Sequence, residues 1–280
     1  MRRFIAARVA QSAIIVVIVT VIAFVLLRLA PGEAFSYDDL SMSPAVRAHW
    51  RSAFGHDKPV AAQLLLYVGN VARGNFGYSL TQRRPVRDAI GDALPRTLTL
   101  AVFSTALALL LGPALGVFAA ARRGRLWDKA ISVFCVVVYS IPDFWLALIV
   151  QLSLGFGFRL FPISGIADPM IADYGSTSQV VADRLRHLVL PVLTMTLLIA
   201  VILARFQRAA LIDVLPSDFL RTARAKGATE RVVLARHALR NALTPTITML
   251  GLLVPTVLGG VFFVEYVFDW HGLEIGRAHV

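Results

Sequence analysis

Residues 218–245 read DFLRTARAKGATERVVLARHALRNALTP. This basic, helix-forming stretch lies between two long uncharged runs, and its reading decides how the rest of the chain is organised. Pro216 and Ser217 supply a stop and an N-cap, and Phe219 to Lys226 gives about two turns of helix. Gly227 fits the left-handed position that ends a helix, where a side chain would strain the backbone. Thr229 with Glu230 restarts a second helix carrying Val232, Val233, Leu239 and Leu243 as apolar contacts, which Asn241 and Pro245 close. Ala223, Ala225 and Ala228 offer a smooth small-residue surface suited to docking. The expected object is a helix–glycine–helix knob beside a membrane. The plainer alternative is a solvated loop whose charges reflect only topology.

The flanks make it a membrane protein. Of 280 residues, 57% are hydrophobic and 16% charged, with a mean hydropathy of +0.70, whereas soluble domains carry about 25% charged residues. Val9 to Leu27, Thr97 to Ala121 and Ala242 to Val264 contain no charge, and Ala130 to Phe158 contains one, Asp143. Leu188 to Ala204 is shorter but long enough to cross. The fold class expected is therefore an all-α membrane protein with five spanning helices. The first run is too long for a signal peptide and has no small-residue cleavage site before Arg28, so it reads as a retained helix.

The net charge of +11 is not spread evenly. Arg2, Arg3 and Arg8 precede the first run, and Arg122, Arg123, Arg125 and Lys129 come after the second. Arg205, Arg208, Arg221, Arg224, Lys226, Arg231, Arg236 and Arg240 come after the fourth. With alternating helices all three groups share one side, which the positive-inside rule makes the cytoplasm, N-terminus included. The basicity thus reflects topology, with a minor part for membrane lipid, and nucleic acid is excluded as an expected partner. Residues 1–29 form the N-terminal helix. Residues 30–95 form an external region folded as a cap of short helices, around amphipathic stretches such as Pro59 to Val71. The bundle occupies residues 96–273 with the knob at 217–245, and a second external loop runs from Arg159 to His187. Gly112 and Gly116, four apart in the second run, suit close helix packing.

Chemistry of catalysis is missing from the pattern. No phosphate-cradling Walker A run, H-E-x-x-H or G-x-S-x-G occurs, and the six histidines are scattered. No catalytic residue, cofactor or metal is expected, and the chain is not read as an enzyme. Cys135, alone inside the third run, reads as a small buried hydrophobe. Asp143, after Ile141-Pro142, reads either as the cap of a restarted helix or as a residue lining a pathway. A stand-alone secondary transporter or channel is the alternative to a driven one, although such proteins usually carry inverted repeats that are not visible here.

The run RTARAKG and, after it, RHALRNALTP resemble the EAA loop of ABC-importer permeases, most closely the dipeptide, oligopeptide and nickel branch. Arg221-Thr222-Ala223 stands where the general pattern has Glu-Ala-Ala, Gly227 matches the central glycine, and Asn241 to Pro245 the closing segment. Leu185 to Leu193 (LRHLVLPVL), Ser140 to Ala147 (SIPDFWLA), Gly74 to Pro85 (GNFGYSLTQRRP) and Gly259 to Trp270 (GGVFFVEYVFDW) also resemble that branch. The resemblance reaches Leu273 and implies a type I importer transmembrane domain, half of a pathway for peptides or a similar small solute. It implies a second permease subunit, two cytoplasmic ATPases and an external binding protein as partners. The first helix of the knob would be the coupling helix. In it Arg221, Arg224 and Lys226 would orient the docked helix, Ala223 beside Thr222 would allow close approach, and Gly227 would set the exit angle.

The end of the chain departs from the pattern. The family's W-P-G-L becomes Trp270-His271-Gly272-Leu273, and Glu274 to Val280, EIGRAHV, is unlike the family. That tail back-translates onto a common sequencing adapter. Residues 274–280 are therefore expected to be non-native, and a sixth helix to be missing from this sequence.

Overall fold

The computed structural model describes residues 2–29, 58–79, 82–259 and 262–273. The chain divides into two compact units, one ending at Ile90 and the other formed by Gly91–Ala278.

In the first unit, α1 (Arg2–Leu29) is the first expected span, and Ile14 to Val19 along it are all exposed, as a helix solvated by lipid requires. Phe24 is its buried contact, with its ring 5.6 Å from that of Tyr67 on α2 (Val60–Ala72). The expected amphipathic stretch at Pro59 to Val71 is this α2. Next comes an antiparallel pair, β1 (Tyr78–Ser79) with β2 (Arg84–Pro85), so the cap is not built of helices alone. The rest of the expected cap, residues 30–57, lies outside the described residues, as does the expected non-native tail at 274–280.

The second unit is built around α7 (Thr177–Val214), in whose most apolar stretch 72% of the residues are buried. It starts earlier than Leu188, so the loop expected at Arg159 to His187 is correspondingly shorter. The cause is local. Ser176 is the N-cap, and Gln179 three residues on closes a capping box with it, the Ser176 amide donating to Gln179 Oε1 at 2.8 Å. Asp183 and His187 then lie buried one turn apart, and Asp183 accepts from the Asp168 amide at 2.7 Å. Asp168 in turn caps the short α6 (Pro169–Tyr174).

Against α7 pack α3 (Val86–Ala121), α4 (Leu126–Ser140) and α10 (Leu239–Gly259). Gly112 and Gly116 of α3 are its points of close approach. A Cβ at Gly112 would stand 2.8 Å from the Ala200 carbonyl oxygen, and one at Gly116 2.5 Å from that of Ala204. The small-residue spacing is therefore a packing device. Cys135, 1% exposed, sits with Val138, Leu146, Val201 and Ala204 in one apolar cluster, as a small hydrophobe would.

The expected third span, Ala130 to Phe158, is not one helix. α4 ends at Ser140, Ile141 turns extended, and α5 (Asp143–Val150) continues as a π-helical stretch, Gln151–Gly157, at 109° to α4. Pro142 has no amide hydrogen and pushes the residue before it out of the helical region, which breaks the run. Among the described residues three helices, α1, α3 and α7, are long and apolar enough to cross a membrane, and the bent pair can make a fourth. The expected fifth crossing falls on α10 and the segment after it, of which residues 260–261 lie outside the described residues. Beyond them α11 (Phe262–Val267) carries Glu265, fully buried, which accepts from Thr97 Oγ1 at 2.6 Å.

Candidate functional site: the basic helical knob

The stretch at 217–245 folds as a helix, a reversal and a second helix. α8 (Asp218–Ala225) begins after Ser217, whose hydroxyl bonds back to the Val214 carbonyl at 2.6 Å rather than capping α8. Asp218 stands in the first turn and Arg224 in the last, both favourable to the helix dipole. Gly227 has φ +82°, in the left-handed region. Around it the Ala228 amide donates to the Ala223 carbonyl at 3.2 Å and the Gly227 amide to that of Arg224 at 2.9 Å. These two bonds make a Schellman closure, which satisfies carbonyls the helix end would otherwise leave open.

Thr229 is the N-cap residue of α9 (Glu230–Val232), which runs on as a π-helical turn, Val233–Ala238, into α10. Pro245, expected to end this helix, lies inside it, and so does Pro255. The terminus expected at Pro245 does not form: α10 continues through it, since a membrane helix packed among neighbours tolerates a proline. Asn241, also expected to close the helix, uses its side-chain Nδ2 to hold the His237 carbonyl one turn back at 3.1 Å.

Burial divides the knob into two faces. Leu220, Val233, Ala238 and Ala242, all 0% exposed, form a cluster with Leu211 of α7 and Ala120 of α3. Ala223 and Ala228 pack against this cluster and are half-buried. The smooth outer surface assigned to the alanines is therefore mostly an inner one, and only Ala225 of the three is exposed. Ala223 is small because the knob sits tightly on its own base. Val232, expected as an apolar contact, is exposed.

The outer face is mainly polar, with Phe219 and Val232 exposed beside the charged residues. Arg221, Thr222, Arg224, Lys226 and Gly227 are all exposed. Arg224 reaches across the reversal and grips Glu230 with both ends of its guanidinium, at 3.0 and 3.1 Å. That contact holds the Glu230 carboxyl below its ordinary range and raises the Arg224 guanidinium. Arg221 approaches Asp218 at 3.4 Å, and Thr222 Oγ1 donates to the Asp218 carbonyl at 3.0 Å. Lys226 has no acidic partner among the described residues.

A second ion pair, which the spacing of the sequence did not suggest, ties the base of the knob. Arg208 of α7 meets Asp128 of α4 through Nε–Oδ1 at 2.6 Å and Nη2–Oδ2 at 2.9 Å, and the Gly124 amide adds a third bond at 2.9 Å. Asp128 is 4% exposed. Only its place in a short basic loop, four residues after Gly124, hinted at a role. Asp143 stands apart from both sites. It is exposed in the first turn of α5 after Pro142, and among the described residues its carboxylate accepts no hydrogen bond. The restart of the helix is present, whereas the cap is not made by this side chain.

Residues 112–278 match the family described as binding-protein-dependent transport system inner membrane component, and residues 1–101 match its N-terminal membrane component. The chain is 36% identical over 275 residues to the oligopeptide transport system permease protein AppB of Bacillus subtilis, covering 98% of this chain and 85% of that protein. It is 36% identical over 269 residues to the di/tripeptide transport system permease protein DppB of Pseudomonas aeruginosa, covering 91% and 80%. Against the glutathione transport system permease protein GsiC of Salmonella typhi it is 37% identical over 257 residues, covering 91% and 79%. A permease of this kind carries no ATPase of its own, and its transport system works through a binding protein and an ATPase. The chain thus belongs to the inner-membrane permeases of binding-protein-dependent ABC transport systems, as a multi-pass subunit of such a system.

Proposed function

We propose that this permease forms half of the import pathway for peptides or a similar small solute, paired with a second, different permease subunit. Three of its relatives carry peptide or glutathione names, which supports that substrate class. In this reading the N-terminus is cytoplasmic, five helices cross the membrane, residues 30–95 face outward toward the binding protein, and 96–273 form the permease domain. α8 is then the coupling helix, seated in a groove of a cytoplasmic ATPase. Arg221, Thr222, Arg224 and Lys226 orient it, and Ala223 and Gly227 fix its seat and exit. Asp143 lines the pathway.

The observation that carries the coupling role is the two-faced knob. A reversal closed by backbone bonds and an ion pair sits on a fully apolar base, so force applied to α8 passes to α7 and α10 instead of being lost in a flexible loop. A solvated loop needs neither feature.

Gly227 is the position to test. Substitution by Val forces a β-branched residue to φ +82°, at a cost of about 1–2 kcal/mol, and should unseat the closure. Asn, which tolerates that region, should not. In membranes expressing the whole system, the Val variant is expected to insert normally yet to lose both co-purifying ATPase and uptake, while the Asn variant keeps most of each. Uptake that continued in the Val variant without bound ATPase would overturn the reading and favour a stand-alone transporter or channel.

A further inference from the structure

Three helices, α4, α7 and α10, leave a groove of about 790 Å3 between them, open along one side. Its walls are mainly hydrocarbon, from Val136 on α4, Ile202 and Phe206 on α7, and Met249 and Leu253 on α10. Two cations also line it, Arg205 and Arg208. They differ in one respect. Arg208 is neutralised by Asp128, whereas Arg205 has only the Tyr139 ring, 5.3 Å from its guanidinium carbon, and no carboxylate within ion-pair distance among the described residues.

An uncompensated guanidinium at the edge of an apolar groove selects for an amphipathic anion. The layout orders that anion. Thr246 of α10 donates to Gln207 of α7 at 2.7 Å, which sets Met249 about level with Arg205 and Leu253 roughly a turn beyond it, on the side away from the knob. Charge therefore stands at the knob end and hydrocarbon beyond it, matching a lipid standing with its headgroup toward the basic face. A peptide fits less well. Its backbone needs donors and acceptors along its length, and besides the two cations the lining offers only the hydroxyls of Ser132 and Tyr139. We propose that this groove binds an anionic phospholipid, with the headgroup phosphate on Arg205 and the acyl chain running past Met249 to Leu253. The proposal needs neither the substrate assignment nor the coupling role of α8.

The test is native mass spectrometry of the assembled transporter released from nanodiscs of equal phosphatidylglycerol and phosphatidylcholine. The wild-type complex should retain phosphatidylglycerol preferentially. Arg205→Gln should lower that retention about tenfold, the worth of a lost charge-assisted bond, without changing phosphatidylcholine. Arg205→Lys should keep part of it, and Leu253→Trp, which narrows the hydrocarbon end, should lower retention of both lipids. Arg236→Gln, an exposed charge on the knob outside the groove, should leave retention unchanged, as a generic surface charge effect would not. Equal phosphatidylglycerol retention in wild type and Arg205→Gln would overturn the proposal. So would displacement of the lipid by saturating peptide, which would make the groove part of the solute path. Protection of Met249→Cys from thiol labelling by the second permease subunit would overturn it as well, making the groove a subunit interface.

Discussion

Asp128 is 4% exposed and Arg208 32%, so their two-pronged contact lies at the edge of the protein interior rather than on its surface. Neutralising one partner leaves the other charge poorly solvated. Asp128→Asn should lower stability by about 2–4 kcal/mol, the lower part of the range for buried pairs because Arg208 keeps some water. Thermal unfolding of the purified complex in detergent measures it, and exchanging the two residues should recover part of the loss. The Arg224–Glu230 pair is exposed and responds to pH instead. Its carboxyl is held below the ordinary value, so the pair's contribution is complete above the unfolded carboxyl range and is lost as pH falls through the depressed folded value. ATPase coupling should therefore be flat from about pH 8 to about pH 5 as far as this pair is concerned. Glu230→Gln should remove the pair's contribution at every pH, read as faster amide exchange at Gly227 and Ala228. The basic residues stand out in the chain, but their partners do not: Asp128 and Arg208 are eighty residues apart, and nothing in their spacing joins them.

At the scale of elements, α3 and α7 touch through glycine. With a Cβ at Gly116 only 2.5 Å from the Ala204 oxygen, no rotamer can relieve the contact, and one helix must move. Gly116→Leu should cost about 1–3 kcal/mol or more by overpacking, and Gly116→Ala less; the yield of folded complex and its unfolding temperature report both. The four-residue spacing of the glycines was legible in the chain, because it puts both on one face of a helix. Which helix they meet was not, since the partner surface is a run of ordinary residues, Ala200 to Gln207. Prolines behaved unequally. Ile141 before Pro142 is extended and its run breaks there, while α10 continues through Pro245 and Pro255.

On the scale of the whole second unit, the end away from the knob is held by polar ties among distant segments. Thr97 donates to buried Glu265 and accepts from the Leu273 amide at 2.8 Å, Trp270 Nε1 donates to the Arg96 carbonyl at 3.1 Å, and Gln151 Nε2 donates to the Val267 carbonyl at 2.8 Å. These link α3 at Arg96 and Thr97, the π-helical stretch after α5, and α11 with the segment after it. Thr97→Val keeps the shape of the side chain but removes both of its bonds, and should cost about 1–3 kcal/mol. Unfolding temperature is one readout. A second is transport, which should fall more than ATPase binding does, because the knob lies at the opposite end of α7 and keeps its own base.

Sequence was enough to establish a helical membrane protein, basic residues clustered beside its apolar runs, and a helix within residues 218–245 that ends at Gly227. Each of these depends on local facts: uninterrupted hydrocarbon, the sign of charge, and a backbone angle that favours glycine. The family could be read from the same segment. Packing in three dimensions was needed to turn Ala223 and Ala228 inward, to bend the third apolar run by 109°, and to pair Arg208 while leaving Arg205 without a carboxylate among the described residues. Those outcomes depend on which surfaces meet, and residues far apart in the chain carry no periodic mark of the neighbour they will find.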